Sequence, residues 1–292
     1  MVALVLASAA LHAGWNFALR RHGDSPAATA LVLAGSVAVA LLAALVFLPV
    51  PEGAFAAATP WAMAAGLSEA IYFVSLSRAL QIGPLAAVYA ISRGASMVVL
   101  WPAAHVLLGE PIGARDAAAV LALLAGLALL APGGARPATT RAGYGWAALS
   151  AVFIVANHLV YKRAISLGRE PAALYVIAMA TALPFVILAL GERDRPRLAR
   201  LRAAAARNPG LLAFGAVAVA TSFLLALEVM RFRGAAWMMT LRNSSIAIVQ
   251  ILGWALLRER PTARAGAARR PRLRGRPPPR PTNALTAFPL RA

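Results

Sequence analysis

The sequence predicts an all-α, polytopic membrane protein built as an inverted repeat of two five-helix units, with the tenth helix missing. Three observations predict it. Of 292 residues, 61% are hydrophobic and only 13% charged, too apolar for an ordinary soluble chain of this length. Apolar runs long enough to cross a hydrocarbon core of about 30 Å recur along the chain. None shows strand alternation, so helices that satisfy their own backbone are the only sensible assignment. Finally, one pattern occurs twice. In LAAVYAISRGASMVVLWPAAHVLLGE, from Leu85 to Glu110, Arg93 is followed three residues later by Ser96 and seventeen later by Glu110. In AAWMMTLRNSSIAIVQILGWALLRE, from Ala235 to Glu259, Arg242 is followed by Ser245 and Glu259 at the same spacings.

The first unit, residues 1–131, holds five runs: Met1 to Leu19, Ala28 to Val50, Trp61 to Leu80, Leu85 to Leu108 and Ala114 to Ala131. The first has no basic stretch ahead of it and is read as a retained span, not a cleaved signal. A linker over 132–143, with Pro, Gly and two arginines, leads to the second unit, residues 144–260. Its runs are Tyr144 to Tyr161, Pro171 to Leu190, Gly210 to Met230 and Ala235 to Leu257, which makes nine expected spans. The halves match elsewhere too: Asn16 precedes Arg21 by five residues as Asn157 precedes Lys162, and YFVSLSRAL from Tyr72 lies over SFLLALEVM from Ser222. Five is odd, so the second copy enters the membrane from the opposite side, and a substrate site is expected near the midplane.

Where the second unit's fifth helix should follow, residues 261–292 are rich in Arg and Pro, and the recurring prolines forbid a helix. A basic disordered tail competes with a slip of reading frame near Ala263 to Gly266, and the abrupt end of the repeat favours the slip. The net charge of +19 does not point to nucleic acid. Eight arginines belong to that last stretch, and six more (Arg193, Arg195, Arg197, Arg200, Arg202 and Arg207) sit in one loop between apolar runs, where membrane proteins keep basic residues. Cysteine is absent, which removes disulfides and thiolate metal sites. No nucleophile–base pair, phosphate-cradling loop or metal-ligand spacing is present. No enzyme activity, cofactor or metal is expected.

Ten apolar helices in two repeats, each repeat's fourth helix ending in an acidic residue (GEP at 109–111, RERP at 258–261), and an LHAGWNFALRR opening together resemble the EamA family of the drug/metabolite transporter (DMT) superfamily. The resemblance runs from residue 1 to about 262. It implies a secondary transporter, often an exporter, of small metabolites or drugs in the bacterial inner membrane. The chain departs from the family pattern in lacking the tenth helix. Small multidrug members of the superfamily couple to protons through a first-helix glutamate, and His12 and Asn16 stand there in this chain, so that mechanism does not carry over. Basic residues number roughly eleven in odd loops and roughly six in even ones, which by the positive-inside rule puts the N-terminus outside. The family resemblance implies an N-terminus inside, and it is followed here.

Arg93 and Arg242 are the leading site candidates, because an ionisable group deep in a span is costly, by about 2.5 kcal/mol or more. Tyr89, Arg93 and Ser96 share one helical face, as do Met238, Arg242 and Ser245. Contact with substrate, an ion pair with Glu69 or Glu228, and snorkelling to the headgroups are the competing roles. Asn243, Ser244 and Ser245 stand ready to complete a ligand's contacts. Glu69, midway in the third run, is read as a coupling carboxylate or as a charge partner for Arg93. His12 and Asn16, at i and i+4, make a polar stripe on the first helix, matched by Asn157 and His158 in the sixth; a hydrogen-bonding role for His12 outweighs a proton relay. Trp15 and Trp237 are the tryptophans placed to line a cavity. Glu110 and Glu259 are expected to cap or orient the following segment through arginines such as Arg115, and Gly14, Gly66, Gly94, Gly126 and Gly253 to permit close helix approach.

The expected partners are the lipid bilayer and a small-molecule solute, and the vacant place of the tenth helix invites a homodimer. The expected function is transport of a small, anionic metabolite by alternating access. The competing reading is a non-transporting membrane remnant, inactive through loss of that helix. A third reading, a membrane anchor for a basic tail that binds acidic partners, rests on residues 261–292 alone.

Overall fold

The computed structural model describes residues 1–47, 50–130, 140–191, 196–246 and 248, and among them every regular element is a helix. In chain order these are α1 (Val2–His22), α2 (Ser25–Val46), α3 (Ala54–Ile82), α4 (Leu85–Leu108) and α5 (Ala114–Leu130). After them come α6 (Arg141–Ser166), α7 (Pro171–Leu188), α8 (Arg197–Arg207), α9 (Pro209–Phe232) and α10 (Ala235–Arg242). The fold is all-α and that of a polytopic membrane protein: α1, α2, α4, α6, α7 and α9 are each long and apolar enough to cross a bilayer. The 29 residues of α3 suffice in length, but Glu69 and its hydroxyl-bearing residues make it less apolar. Residue 131 at the end of the first unit, residues 132–139 of the expected linker, the remainder of the ninth run with Gly253 and Trp254, Glu259 and the stretch 261–292 lie outside the described residues.

Two elements depart from the sequence reading. The arginine-rich loop after α7 contains a helix of its own, α8, whose RLARLRAAAAR sequence is rich in strong helix formers. And regular helix in α10 stops at Arg242, where Asn243 and Ser244 form a turn. The residues there are Asn-Ser-Ser, whose short polar side chains compete with helical backbone bonding. The matching segment of α4, Gly94-Ala95-Ser96, stays helical.

The packing is reciprocal between the halves. α3 packs on α6 and α7, while α9 packs on α1 and α2; α4 lies on α6, and α10 on α1. In a bilayer apolar burial does not drive helices together, so close van der Waals fit and interhelical hydrogen bonds must. A Cβ on Gly66 would stand 2.5 Å from the Ala178 carbonyl oxygen and 2.7 Å from Thr181 Cβ, so α3 touches α7 backbone to backbone. At the α2–α9 crossing, a Cβ on Gly35 would meet Ala216 and one on Gly215 would meet Val32, each at 2.8 Å. Neither of these glycines stands out in the sequence. Gly126, expected to permit close approach, has nothing within 4 Å of its Cβ position.

Helix ends are tied across the bundle by charge. Arg20 of α1 donates to the Leu80 carbonyl at the end of α3, at 2.8 Å. Lys162 of α6 donates to the Met230 and Arg233 carbonyls at the end of α9, at 2.7 and 2.9 Å. Both cations face the negative end of a helix dipole. Glu110, just past α4, accepts from the backbone N–H of Ala235 and Ala236 at 2.6 and 3.1 Å, so it caps the start of α10. A Cβ on Gly234 would lie 2.5 Å from its carboxylate, which explains the glycine there. The expectation that Glu110 acts on the segment following it is thereby corrected: unpaired N–H groups at a helix start attract the carboxylate more than its own helix end does.

Gly66→Ala is expected to cost about 1–3 kcal/mol, read as a lower melting temperature in detergent, because backbone cannot yield as a side chain can. A second expectation concerns α8. Arg200 holds Asp24 through paired bonds of 2.6 and 2.7 Å. Burial pushes the Asp24 carboxyl up, but the hydrogen bonds from Arg200 and the Ala27 N–H outweigh it and hold it below its ordinary 3.8. A depressed carboxylate stabilises fully above its unfolded value and loses that contribution as pH falls through its folded one. A spin label at Ala203→Cys should therefore become mobile as the pH falls below about 3.8, and in Asp24→Asn its mobility should no longer change with pH.

Candidate functional site

The site is built around one imidazole. His12, the middle residue of α1 and fully buried, receives the Arg93 Nη2 donor at Nε2. The Arg242 Nη2 lies 2.9 Å from its Nδ1, and the Trp15 indole N–H 3.1 Å from the same atom. A neutral imidazole offers one accepting nitrogen and one N–H, and an imidazolium offers none. One tautomer therefore serves only one of the two guanidinium groups. Both arginines are buried, 3% and 1% exposed. Arg93 comes from within α4 and Arg242 from the last position of α10, and both reach the middle of α1 at His12.

Neutral groups complete their surroundings. Arg93 reaches the Tyr72 hydroxyl at 3.4 Å and Met239 Sδ at 3.6 Å, with its Cζ over the Tyr89 ring at 5.6 Å. Arg242 donates to Ser222 Oγ at 2.8 Å and stacks over Phe223 at 4.9 Å. Ser222 is fixed by a reciprocal pair with Ser8: Ser222 Oγ donates to the Ser8 carbonyl at 2.8 Å, and Ser8 Oγ to the Ser222 carbonyl at 2.7 Å. Among the described residues no carboxylate lies within ion-pair distance, 4 Å, of either guanidinium. π-faces, hydroxyls and an imidazole do what carboxylates usually do around buried arginine.

Of the other sequence candidates, Asn16 and Ser245 join the cluster through Tyr89, whose hydroxyl lies 3.5 Å from Asn16 Nδ2 and 3.5 Å from Ser245 Oγ. Ser96 is buried but donates to the Arg93 carbonyl at 2.9 Å, a bond within its own helix. Asn243 is fully buried with neither end of its amide bonded. Glu69 is fully buried, and neither of its oxygens has a hydrogen-bond partner among the described residues. The Asn157 amide is equally unpartnered, as are the hydroxyls of Ser75, Ser150 and Tyr161. These groups make a polar zone where α3 meets α6. Glu228 is not an internal partner, which corrects that alternative: its side chain is 45% exposed and pairs with Arg231, near the solvent end of α9. Trp237 lies at the start of α10 under Arg233, away from His12.

Sequence reasoning passed over Tyr72, Ser222 and Phe223 as arginine partners. The signal was present, since Tyr72 lies over Ser222 in the repeat alignment, and each supplies the hydroxyl facing its own half's partner arginine.

Residues 141–268 match the model of the EamA-like transporter family. Over that stretch the chain is similar to the family, which is part of the DMT superfamily. No curated protein matches the chain, but 14 chains of solved structures do. One, titled "Crystal structure of protein", superposes with a TM-score of 0.59 at 18% identity over 86% of this chain and 87% of its own. At that identity the likeness concerns the fold. The family it resembles is one of transporters, and the apolar helices of the chain fit a multi-pass protein in contact with the lipid bilayer.

Proposed function

We propose that this EamA-like protein is a secondary transporter, working as an exporter in the plasma membrane of a bacterium, of a small solute that carries a carboxylate, phosphate or phosphonate. The single observation behind this is the convergence of Arg93 and Arg242 on one neutral histidine with no carboxylate in ion-pair range among the described residues. An anionic group supplies the acceptor that one imidazole cannot give to two guanidinium groups, and arginine's planar fork suits it. Tyr89, Ser245, Asn16 and Asn243 line the same region with unfilled hydrogen-bonding capacity. The reciprocal packing supports two units, 1–131 and 144–260, of inverted topology that rock about this midplane site.

Ligand-induced thermal stabilisation of the purified chain should follow anions: organic acids and organophosphates raise the melting temperature, and cationic dyes do not. Arg93→Gln and Arg242→Gln should each weaken the apparent affinity at least about tenfold, the equivalent of about 1.4 kcal/mol. Stabilisation by dyes alone, undiminished in both variants, would overturn the assignment.

Glu69 is proposed as the coupling carboxylate, because a buried carboxyl that shares its surroundings with the Asn157 amide and with the charges of Arg242 and Arg93 can gain and lose a proton as the halves move. Glu69→Gln should flatten the pH dependence of transport while leaving anion binding within about twofold. An unchanged pH profile would reduce Glu69 to a local charge balance for the two arginines.

A further inference from the structure

The repeat sets the α1–α9 crossing over the α3–α6 crossing, and the two are furnished differently. At the first, Ser8 and Ser222 bond each other's carbonyls and Asn16 Nδ2 donates to the His12 carbonyl at 2.7 Å; of these side chains only Asn16 Oδ1 is unbonded among the described residues. At the second, Glu69, Ser150, Asn157 and Tyr161 are each no more than 1% exposed. Both Glu69 oxygens, both ends of the Asn157 amide and the Ser150 and Tyr161 hydroxyls lack a hydrogen-bond partner among the described residues. The alignment of the halves sharpens the contrast. Tyr72 over Ser222 sets Glu69 over Val219, and Asn16 over Asn157 sets Arg20 over Tyr161. A carboxylate and a phenol at one crossing are therefore not a by-product of duplication.

Asn157 and Tyr161, four residues apart, share one face of α6. Both belong to the surroundings of Glu69, as does Tyr175 of α7. Tyr161 also stands close to the end of α6: its neighbour Lys162 already reaches the carbonyls that close α9, and Arg163 and Ser166 are exposed. One polar stripe thus leads from the middle of α3 to the end of the bundle. Buried polar groups that no protein atom satisfies are ordinarily satisfied by water.

We propose that Asn157 and Tyr161 form a water-bearing route by which the coupling proton passes between Glu69 and the end of the bundle where α6 finishes, apart from the arginine site. The route rests on the reading of Glu69 as the coupling carboxylate. One proton moves from water at the end of α6 to a Glu69 oxygen: Tyr161 gives its hydroxyl proton inward and takes another from the outward side, so it ends as it began. Asn157 cannot relay a proton, but its amide both donates and accepts and so holds water in line. Tyr175 is not on the route, because its hydroxyl donates to Ser36 Oγ at 3.0 Å. The other charged or titratable groups bearing on Glu69 are Arg242, Arg93 and Tyr72. His12 lies between the two arginines, His158 meets the Ile154 carbonyl of its own helix, and α2 carries no titratable residue.

The test follows the carboxyl itself, with the purified full chain in detergent taken through a rapid drop in pH. The part of the protonated-carboxyl infrared stretch that Glu69→Gln removes reports Glu69 alone. Tyr161→Phe and Asn157→Leu should each reach the same final amplitude at least about tenfold more slowly, and Tyr175→Phe at the rate of the unaltered chain. Tyr161→Phe deletes a hydroxyl that no protein group satisfies, so its melting temperature should not fall. An unchanged rate in either Tyr161→Phe or Asn157→Leu, an equal slowing in Tyr175→Phe, or a loss of amplitude without slowing overturns the route and leaves the role of Glu69 intact. If Glu69→Gln removes no part of the band, that role falls and the route falls with it.

Discussion

Everything in the interior answers to one constraint: two guanidinium groups are held far from water with one neutral acceptor between them. In hydrocarbon neither can be hydrated, and like charges repel strongly where the dielectric is low. The chain does not respond by placing a carboxylate against each. It surrounds the arginines with the faces of Tyr89 and Phe223, the hydroxyls of Tyr72 and Ser222, and the imidazole of His12. The rest of the bundle follows from positioning these groups. α1 supplies the histidine and is pinned to α9 by the Ser8–Ser222 pair, α3 supplies the tyrosine, and close crossings at Gly35, Gly66 and Gly215 hold the donors in register.

The ties at the helix ends have a different character. Arg20, Lys162 and Glu110 each meet backbone groups of another helix, so they neutralise a dipole end instead of a side chain. Such bonds lie near the solvent levels of the bundle, where water can replace either partner when two helices part. That contrasts with the Ser8–Ser222 pair, which is buried and has no such substitute. The Arg20 and Lys162 ties each join helices of one unit, α1 to α3 and α6 to α9, so a rocking motion between the units leaves them in place. The Glu110 cap and the Ser8–Ser222 pair are the bonds that join one unit to the other, and of these the solvent-level cap is the one water can replace.

Much of this was legible in the sequence because the bilayer leaves so few choices. Run length and the missing alternation gave the helices, and the doubled Arg–Ser–Glu spacing singled out Arg93, Arg242 and Glu110 before any contact was known. What stayed hidden depended on side-chain direction or local backbone competition. Helix α8 escaped because its arginines read as a loop signal, although its Leu and Ala content is helical. The turn after Arg242 escaped because Asn243 and Ser244 sit within an otherwise apolar run. Glu110 was recognised as a cap but assigned to the wrong helix, since a sequence shows which helix a carboxylate ends and not which helix begins beside it. Glu228 was weighed beside Glu69 as an ion-pair partner for the arginines, but it stands four residues from the end of α9, where Glu69 stands midway in α3.

The turn at Asn243 also makes the two arginines unequal, although the repeat makes them look alike. Arg242 stands at the last position of α10, where the turn rebonds the Met239, Thr240 and Leu241 carbonyls to Asn243 and Ser244. It further has Ser222 at 2.8 Å and a phenyl face at 4.9 Å. Arg93 lies within an unbroken α4, and its contacts beyond His12 are a hydroxyl at 3.4 Å, a thioether at 3.6 Å and the Tyr89 ring at 5.6 Å. Of the two, Arg242 is the one whose Nε has no hydrogen-bond partner among the described residues. In the proposed transporter that donor is open to an incoming anion. The interruption after Arg242 leaves Asn243 buried with an unbonded amide, able to follow the solute with little cost to regular helix. Inversion supplies two cations from opposite sides, and the local sequence RGAS against RNSS divides their work between a fixed charge and an adjustable one.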